Sequence, residues 1–236
     1  MSLPSLALNP SARVSGFTVG NTGSPIVVID DVLSNVGDIA RFGRNEAVFA
    51  DPDVSSYPGL NANVPNTLPT PLLTALRPIL ARAFGVPTTS PISGAGYFGL
   101  VTRKPEELDV IQVVPHVDAV GPRCLASLIY LCEPEHGGTA FFRHRQTGFE
   151  RLTGDNIDAY NVARRAETEK GGGQSYIVGD NSLFERIGGV DARFNRLVIY
   201  NGNLLHSGQV NPERLSTDPK LGRLTLNFFM TGPQQG

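Results

Sequence analysis

Lysine, cysteine and long apolar runs are all scarce in this chain, and each scarcity removes a class of function. Three lysines, Lys104, Lys170 and Lys220, stand beside seventeen arginines, and the net charge is -2. No basic run of nucleic-acid type appears, so nucleic acid is not an expected partner. The two cysteines, Cys124 and Cys132, fall eight residues apart in one expected strand. That spacing holds them too far apart along the strand to form a disulfide, which suits a reducing cytoplasm. No apolar run reaches the roughly 20 residues a membrane-spanning helix needs. The opening Met1 to Pro10 lacks the basic start and apolar core of a secretory signal, so neither membrane nor export is expected. Histidine is scarce too, at four residues, and two of the four carry the most informative pattern.

His116 and Asp118 form a His-x-Asp at the end of an apolar run, and His206 follows 88 residues after the Asp. Two imidazoles and one carboxylate are the set that holds non-haem Fe(II) on one face and leaves three positions open. The stretch Ile111 to Asp118 reads as a strand ending in a loop, and residues two apart on a strand face the same way, so both side chains reach one ion. His206 ends a second pattern, Arg196 to Gly208, read as a buried strand followed by a polar turn. By itself His-x-Asp is a weak signal, since a surface His beside an Asp is common. The C-terminal segment strengthens it. In Gly222 to Met230, Arg223, Thr225, Asn227 and Phe229 share one strand face, and Leu224, Leu226, Phe228 and Met230 share the other. With the apolar stripe packed on helices, the arginine points into a barrel beside the metal, where a guanidinium binds a carboxylate bidentately and a Thr hydroxyl adds a hydrogen bond.

These residues resemble the Fe(II)/2-oxoglutarate-dependent oxygenases, in particular the prolyl-4-hydroxylase-like branch, over about Tyr97 to Met230. The matching elements, in the family's order, are His116-Val117-Asp118, Leu128-Ile129-Tyr130-Leu131, Gly137-Gly138-Thr139-Ala140-Phe141-Phe142, His206 and Arg223. The resemblance implies iron ligation by His116, Asp118 and His206, capture of the 2-oxoglutarate C5 carboxylate by Arg223, and support of that carboxylate by Thr225 and Tyr130. It also implies Fe(II), 2-oxoglutarate and O2 as cofactor and co-substrates, and release of succinate and CO2. Related halogenases lack the carboxylate ligand, so Asp118 favours hydroxylation over halogenation. The separation from His206 to Arg223, 17 residues, is long for this branch. Arg214 lies at the shorter spacing, but it sits in a Pro-flanked turn, whereas Arg223 opens an alternating strand. The substrate implied is a peptide, an amino acid or a small molecule, and oligomeric state is not legible.

One mainly β domain with flanking helices is expected, a double-stranded β-helix (jelly roll, cupin-like barrel) over residues 1–236. Residues 1–90 supply an N-terminal strand (Pro25 to Leu33), a helix Asn35 to Glu46 capped by Ser34, and a helix Leu72 to Phe84 stopped by Gly85 and Pro87. Leu72, Leu73, Leu76, Ile79, Leu80 and Phe84 recur at helical spacing and form the face packed on the barrel. Asp51 to Pro69 reads as a surface loop. Residues 91–236 supply strands Gly96 to Thr102, Val110 to Val114, Leu125 to Cys132, Thr139 to Arg143, Phe194 to Tyr200 and Arg223 to Thr231, with a polar helical insertion at about 143–175.

Other side chains carry two readings each. His136 reads as a solvated turn residue rather than a ligand. His144 faces the substrate or lies on the rim beside arginines. Tyr97 reaches the co-substrate or is a core tyrosine with a satisfied hydroxyl. Arg123 steers an anionic substrate or pairs with a loop carboxylate, and Asn203 lines the metal face or forms a turn. Two rival functions stand beside the oxygenase: a non-catalytic metal- or metabolite-binding jelly roll, and a cupin-like metalloenzyme that uses no 2-oxoglutarate.

Overall fold

The computed structural model describes residues 2–52, 57–89, 93–121, 124–168 and 175–231. Ten strands and three helices follow in the order β1 (Arg13–Val19), β2 (Ser24–Asp30), α1 (Val36–Asn45), β3 (Gly59–Val64), α2 (Thr70–Phe84), β4 (Ser93–Val101), β5 (Cys124–Tyr130), β6 (Thr139–His144), α3 (Ile157–Thr168), β7 (Phe184–Val190), β8 (Leu197–Asn201), β9 (His206–Gly208) and β10 (Arg223–Thr231). Seven strands form one antiparallel sheet in the order β1-β2-β8-β5-β10-β4-β3, and three form a second in the order β7-β6-β9. The two sheets make the expected double-stranded β-helix, mainly β with flanking helices.

The alternation along β10 sorts the molecule into layers. Its apolar face, Leu224, Leu226, Phe228 and Met230, is buried with Ile39 and Ala40 of α1 and with Leu72, Leu73, Leu76 and Leu80 of α2. Burying one face of a sheet under the apolar stripe of a helix is the main stabilising device of such an architecture. A second apolar layer lies between the sheets, where Ile26, Val28, Leu128, Val198 and Tyr200 meet Phe141 and Val190. A third covers the outer face of the small sheet: Ala140, Phe142, Phe184 and Leu205 pack with Tyr160 of α3. The polar insertion thus holds a helix, as expected, and that helix roofs the small sheet.

Helix α2 begins with Pro71 in its first turn and ends at Gly85 in the left-handed conformation, with φ +67°, as the start and stop signals require. Helix α1 departs from the expected cap. Ser34 donates its hydroxyl to the Ala7 carbonyl, and the Asn35 amide exchanges hydrogen bonds with Ser5 and Ala7, so both residues tie down the N-terminal segment.

Two further expectations are corrected. Val110 to Val114 is not a strand: Gln112 turns back to the Asp109 carbonyl, and Val110 and Ile111 are 54% and 58% exposed. Apolar residues predicted burial there, yet the segment turns on itself from Asp109 and lies outside both sheets. The expected loop Asp51 to Pro69 contains β3, which pairs with β4 along its whole length. Strands β1, β7 and β9 were also not anticipated. Arg123 lies outside the described residues.

Candidate metal centre

His116 and Asp118 reach the site without a strand of their own. His116 makes an isolated antiparallel bridge to His206, with its N–H donating to the His206 carbonyl at 2.9 Å and the reverse bond at 3.0 Å. Two residues on, the Asp118 N–H donates to Gly202 at 2.7 Å. An extended segment therefore runs beside residues 202–206 and aims His116 and Asp118 to one side, which is what the two-residue spacing demanded. The three side chains offer ligand atoms that all lie within 4.8 Å of one another. Asp118 places Oδ1 3.9 Å from His116 Nε2 and Oδ2 3.4 Å from His206 Nε2.

Hydrogen bonding fixes which atoms are free to bind. His206 Nδ1 lies 2.8 Å from the Leu204 carbonyl, which can only accept, so Nδ1 carries the proton and Nε2 presents its lone pair. Asp118 Oδ2 is buried with no hydrogen-bond partner. A buried carboxylate oxygen without a donor is costly, by several kcal/mol for an isolated charge, unless a cation meets it. Burial pushes both imidazoles down, His116 and His206 each to about 4, with His206 adding to the effect on His116 and Asp118 opposing it. Burial also pushes the Asp118 carboxyl up to about 6, against the attraction of His116. At neutral pH the set is thus two neutral imidazoles and one carboxylate, the protonation state that ligates a divalent metal. The donor set and the unsatisfied oxygen fit an Fe(II)-type ion, and among the described residues no other triple of His, Cys, Asp or Glu is so arranged.

The triad opens into a cavity of about 410 Å³ whose wall includes Arg223. Arg223 is buried, donates from Nε to the Gly137 carbonyl and from Nη2 to the Gly138 carbonyl, each at 2.9 Å, and lies over the Tyr130 ring at 5.7 Å. No carboxylate pairs with it among the described residues. The glycine pair has its own reason: at both positions a Cβ would run into backbone, the Gln209 carbonyl oxygen at Gly137 and the Val190 carbonyl oxygen at Gly138. The two carbonyls occupy the Nε side of the guanidinium and leave its outer end for a ligand.

Thr225 and Tyr130 stand beside Arg223 in register, opposite one another on β10 and β5, but neither is on the cavity wall. The Tyr130 hydroxyl shares a 2.8 Å hydrogen bond with Thr139, and Thr225 accepts from the Asn227 amide at 3.0 Å. Thr139 and Asn227 are the members of those pairs that face the cavity. Arg214 is exposed in a short 3-10 turn.

The remaining histidines lie elsewhere. His136 sits in a turn with its ring nitrogens near the Glu133 and Leu221 carbonyls. His144 is fully buried under α3, bonded to Glu167 and Thr147. Asn203 is a buried turn residue holding Arg151 and Leu152. Tyr97 does line the cavity, as do Tyr57, Asn61, Tyr176 and Tyr200, which sequence reasoning had not singled out. A signal for Asn61 was present: Ala62 and Val64 pack under the helices while Asn61 and Asn63 alternate with them.

Residues 10–230 match the model of DUF6445, a family of unknown function. The chain belongs to that family. No curated protein matches it. Among solved structures, this DUF6445 member is similar to HygX from Streptomyces hygroscopicus with iron bound, at 16% identity over 88% of this chain and 82% of that one, TM-score 0.47. It is also similar to EvdO2 from Micromonospora carbonacea var. aurantiaca, at 13% identity over 89% and 88%, TM-score 0.47. A third likeness is to SnoN, a non-haem alpha-ketoglutarate-dependent epimerase from nogalamycin biosynthesis, at 16% identity over 87% and 77%, TM-score 0.45. At these values nothing about the activity of this chain follows from them.

Proposed function

We propose that this protein is an Fe(II)- and 2-oxoglutarate-dependent dioxygenase that hydroxylates a small molecule or a peptide or amino-acid side chain, with release of succinate and CO2. The observation that carries the reading is one cavity lined by both a His-Asp-His set with an unsatisfied carboxylate oxygen and a buried arginine with no acidic partner. A dianionic 2-oxo acid, bound between a dication and a guanidinium, neutralises that arrangement.

His116, Asp118 and His206 would hold the metal on one face, with the Leu204 carbonyl keeping His206 in the ligating tautomer. When bound, Fe(II) supplies the redox chemistry that couples reduction of O2 to oxidative decarboxylation of 2-oxoglutarate and hydroxylation of substrate. Balance is met by substrate, 2-oxoglutarate and O2 giving hydroxylated substrate, succinate and CO2. Arg223 would receive the far carboxylate on the outer end of its guanidinium, and its bonds to the Gly137 and Gly138 carbonyls fix the side chain in place. Tyr97, Tyr200 and Phe229 line the cavity near the triad and displace water from it; the Tyr200 ring lies 4.7 Å from that of His206. Fixed donors in a water-poor site act more strongly than they do in solvent. The order of motifs favours the prolyl-4-hydroxylase-like branch.

The test is succinate formation from 2-oxoglutarate by anaerobically Fe(II)-loaded protein exposed to O2, for wild type and His116→Ala. Succinate that depends on O2, on 2-oxoglutarate and on His116 supports the dioxygenase. Metal binding with no 2-oxoglutarate binding supports the cupin-like metalloenzyme instead. Binding of both without turnover in a broad substrate panel supports the non-catalytic barrel.

A further inference from the structure

Asn61 lies on β3, outside every motif used so far, and its side chain lines the same cavity as the triad and Arg223. Its Oδ1 atom is buried and has no hydrogen-bond partner. Local backbone does not explain that vacancy, because the Asn61 N–H and C=O are both spent on Ala50, each at 2.9 Å. An amide oxygen left without a donor costs about 1–3 kcal/mol, so its partner comes from what fills the cavity. A 2-oxoglutarate dianion offers acceptors only and cannot fill that role.

The surroundings restrict what the donor can be. Asn61 stands opposite Gly99 in register, and Gly99 stands opposite Thr225. A side chain on Gly99 would collide with the Tyr57 hydroxyl at 2.5 Å and the Asn227 amide nitrogen at 2.8 Å, so the missing Cβ makes room for a neutral polar cluster. Among the described residues of the wall, Arg223 is the one permanent cation and Asp118 the one carboxylate. Burial raises the Tyr57 and Tyr97 phenols far above their ordinary pKa, so both stay uncharged at any working pH. Asn61 itself carries no charge, so an ion held on it would give up hydration without a counter-charge from that residue.

We infer that Asn61 is a specificity residue whose side-chain oxygen accepts a hydrogen bond from an uncharged donor group of the substrate, a hydroxyl or an amide N–H. The inference deepens the dioxygenase reading and rests on it for the word substrate. The segment that supplies Asn61 also supplies Pro52, Tyr57 and Pro58 to the wall, while His116 and Asp118 come from the segment before β5, His206 from β9 and Arg223 from β10. Recognition on an edge strand and its loop, with chemistry on the core, is the usual division of labour. A site built to bond a donor rejects the analogue that lacks it by orders of magnitude, because the acceptor is then left buried and bare.

The experiment uses four planar isosteres, acetamide, acetone, acetate and acetamidinium, soaked at equal concentration into crystals of metal-free wild type, Asn61→Leu and Asn61→Thr. The expected result is acetamide with its N–H on Asn61 Oδ1 in wild type, absent from both variants, with acetone, acetate and acetamidinium not held there. Acetamidinium binding at Asn61 as well as acetamide, acetamide surviving in the variants as binding at crystal concentration only, or no probe at Asn61 would each overturn the inference. Calorimetry of the Ni(II)-loaded full chain supplies the second arm. Asn61→Leu should bind 2-oxoglutarate within about threefold of wild type, under about 0.7 kcal/mol. A loss as large as that of Arg223→Ala would assign Asn61 to the co-substrate and overturn the inference. If wild type itself fails to bind 2-oxoglutarate, the dioxygenase reading falls, while the soaks still decide whether Asn61 selects a neutral donor.

Discussion

At the scale of single residues, Arg223 has two separable duties. Its Nε and Nη2 satisfy the Gly137 and Gly138 carbonyls, and its side chain lines the cavity. Arg223→Ala should therefore weaken 2-oxoglutarate binding by a charge-assisted pair, about 1.5–3 kcal/mol or roughly 10- to 150-fold, while Fe(II) stays bound. The same change should lower the melting temperature, since two carbonyls lose their donor. Titration of 2-oxoglutarate into wild type, Arg223→Ala and Arg214→Ala checks it: loss in Arg214→Ala with Arg223→Ala unaffected would reverse the anchor assignment. The glycine pair gives a second outcome. Gly138→Ala puts a methyl group into the Val190 carbonyl, so its melting temperature should fall well below that of Gly154→Ala, whose Cβ meets nothing. Comparable melting of the two variants would show that the turn relaxes freely.

At the scale of elements, the helices work as lids on the two outer sheet faces. Leu80 of α2 is fully buried, and Leu80→Ala should cost about 2–5 kcal/mol. For a domain of this size that is a fall of roughly 5–15 °C in melting temperature, measured by calorimetry. Helix α3 is tied down differently, through His144, Glu167, Arg164 and the Tyr160 ring. Burial pushes the His144 pKa below 6.5, more than Glu167 restores it, and Arg164 adds to the lowering. The folded state then holds that proton less tightly than the unfolded chain, so stability is retained above about 6.5 and lost as pH falls below it. In metal-free protein His144→Gln should flatten the decline of melting temperature between about pH 7.5 and pH 5.5; a slope equal to wild type would mean that His144 is not the group concerned.

Legibility in the sequence also differs by element. Alternation revealed β10, and helical spacing with Pro and Gly signals revealed α2, while His116, Asp118, His206 and Arg223, singled out by motif and strand context, line one cavity. Periodicity failed at Val110 to Val114, where Val110 and Ile111 are exposed and Val113 and Val114 half-buried, and at β3, whose small and polar side chains resemble a loop. Strand β1 was missed for a related reason: as an edge strand it is exposed through six of its seven residues, so no apolar period survives. Thr225 and Tyr130 lie opposite one another on β10 and β5 but off the cavity wall. Which hydroxyl faces the cavity depends on how Thr139 and Asn227 pack against them, a tertiary fact with no local signature.

At the scale of the whole molecule, three apolar layers occupy the two outer sheet faces and the inter-sheet space, and the cavity opens where the inter-sheet layer gives way to polar side chains. Stability is thus concentrated away from the triad. Asp118→Ala should leave melting of the metal-free protein unchanged or slightly raised, because it removes a buried carboxylate with an unsatisfied oxygen. No helix among the described residues is long and apolar enough to cross a membrane.

The central claim is that the triad and Arg223 form one binding site for a metal and a 2-oxo acid together. Its most direct measurement is anaerobic calorimetry of 2-oxoglutarate binding with and without Fe(II), in wild type and His206→Ala. The account predicts binding that requires Fe(II) in wild type and is lost in His206→Ala. Equal affinity with and without the metal, or retention of metal-dependent binding after His206→Ala, would contradict it.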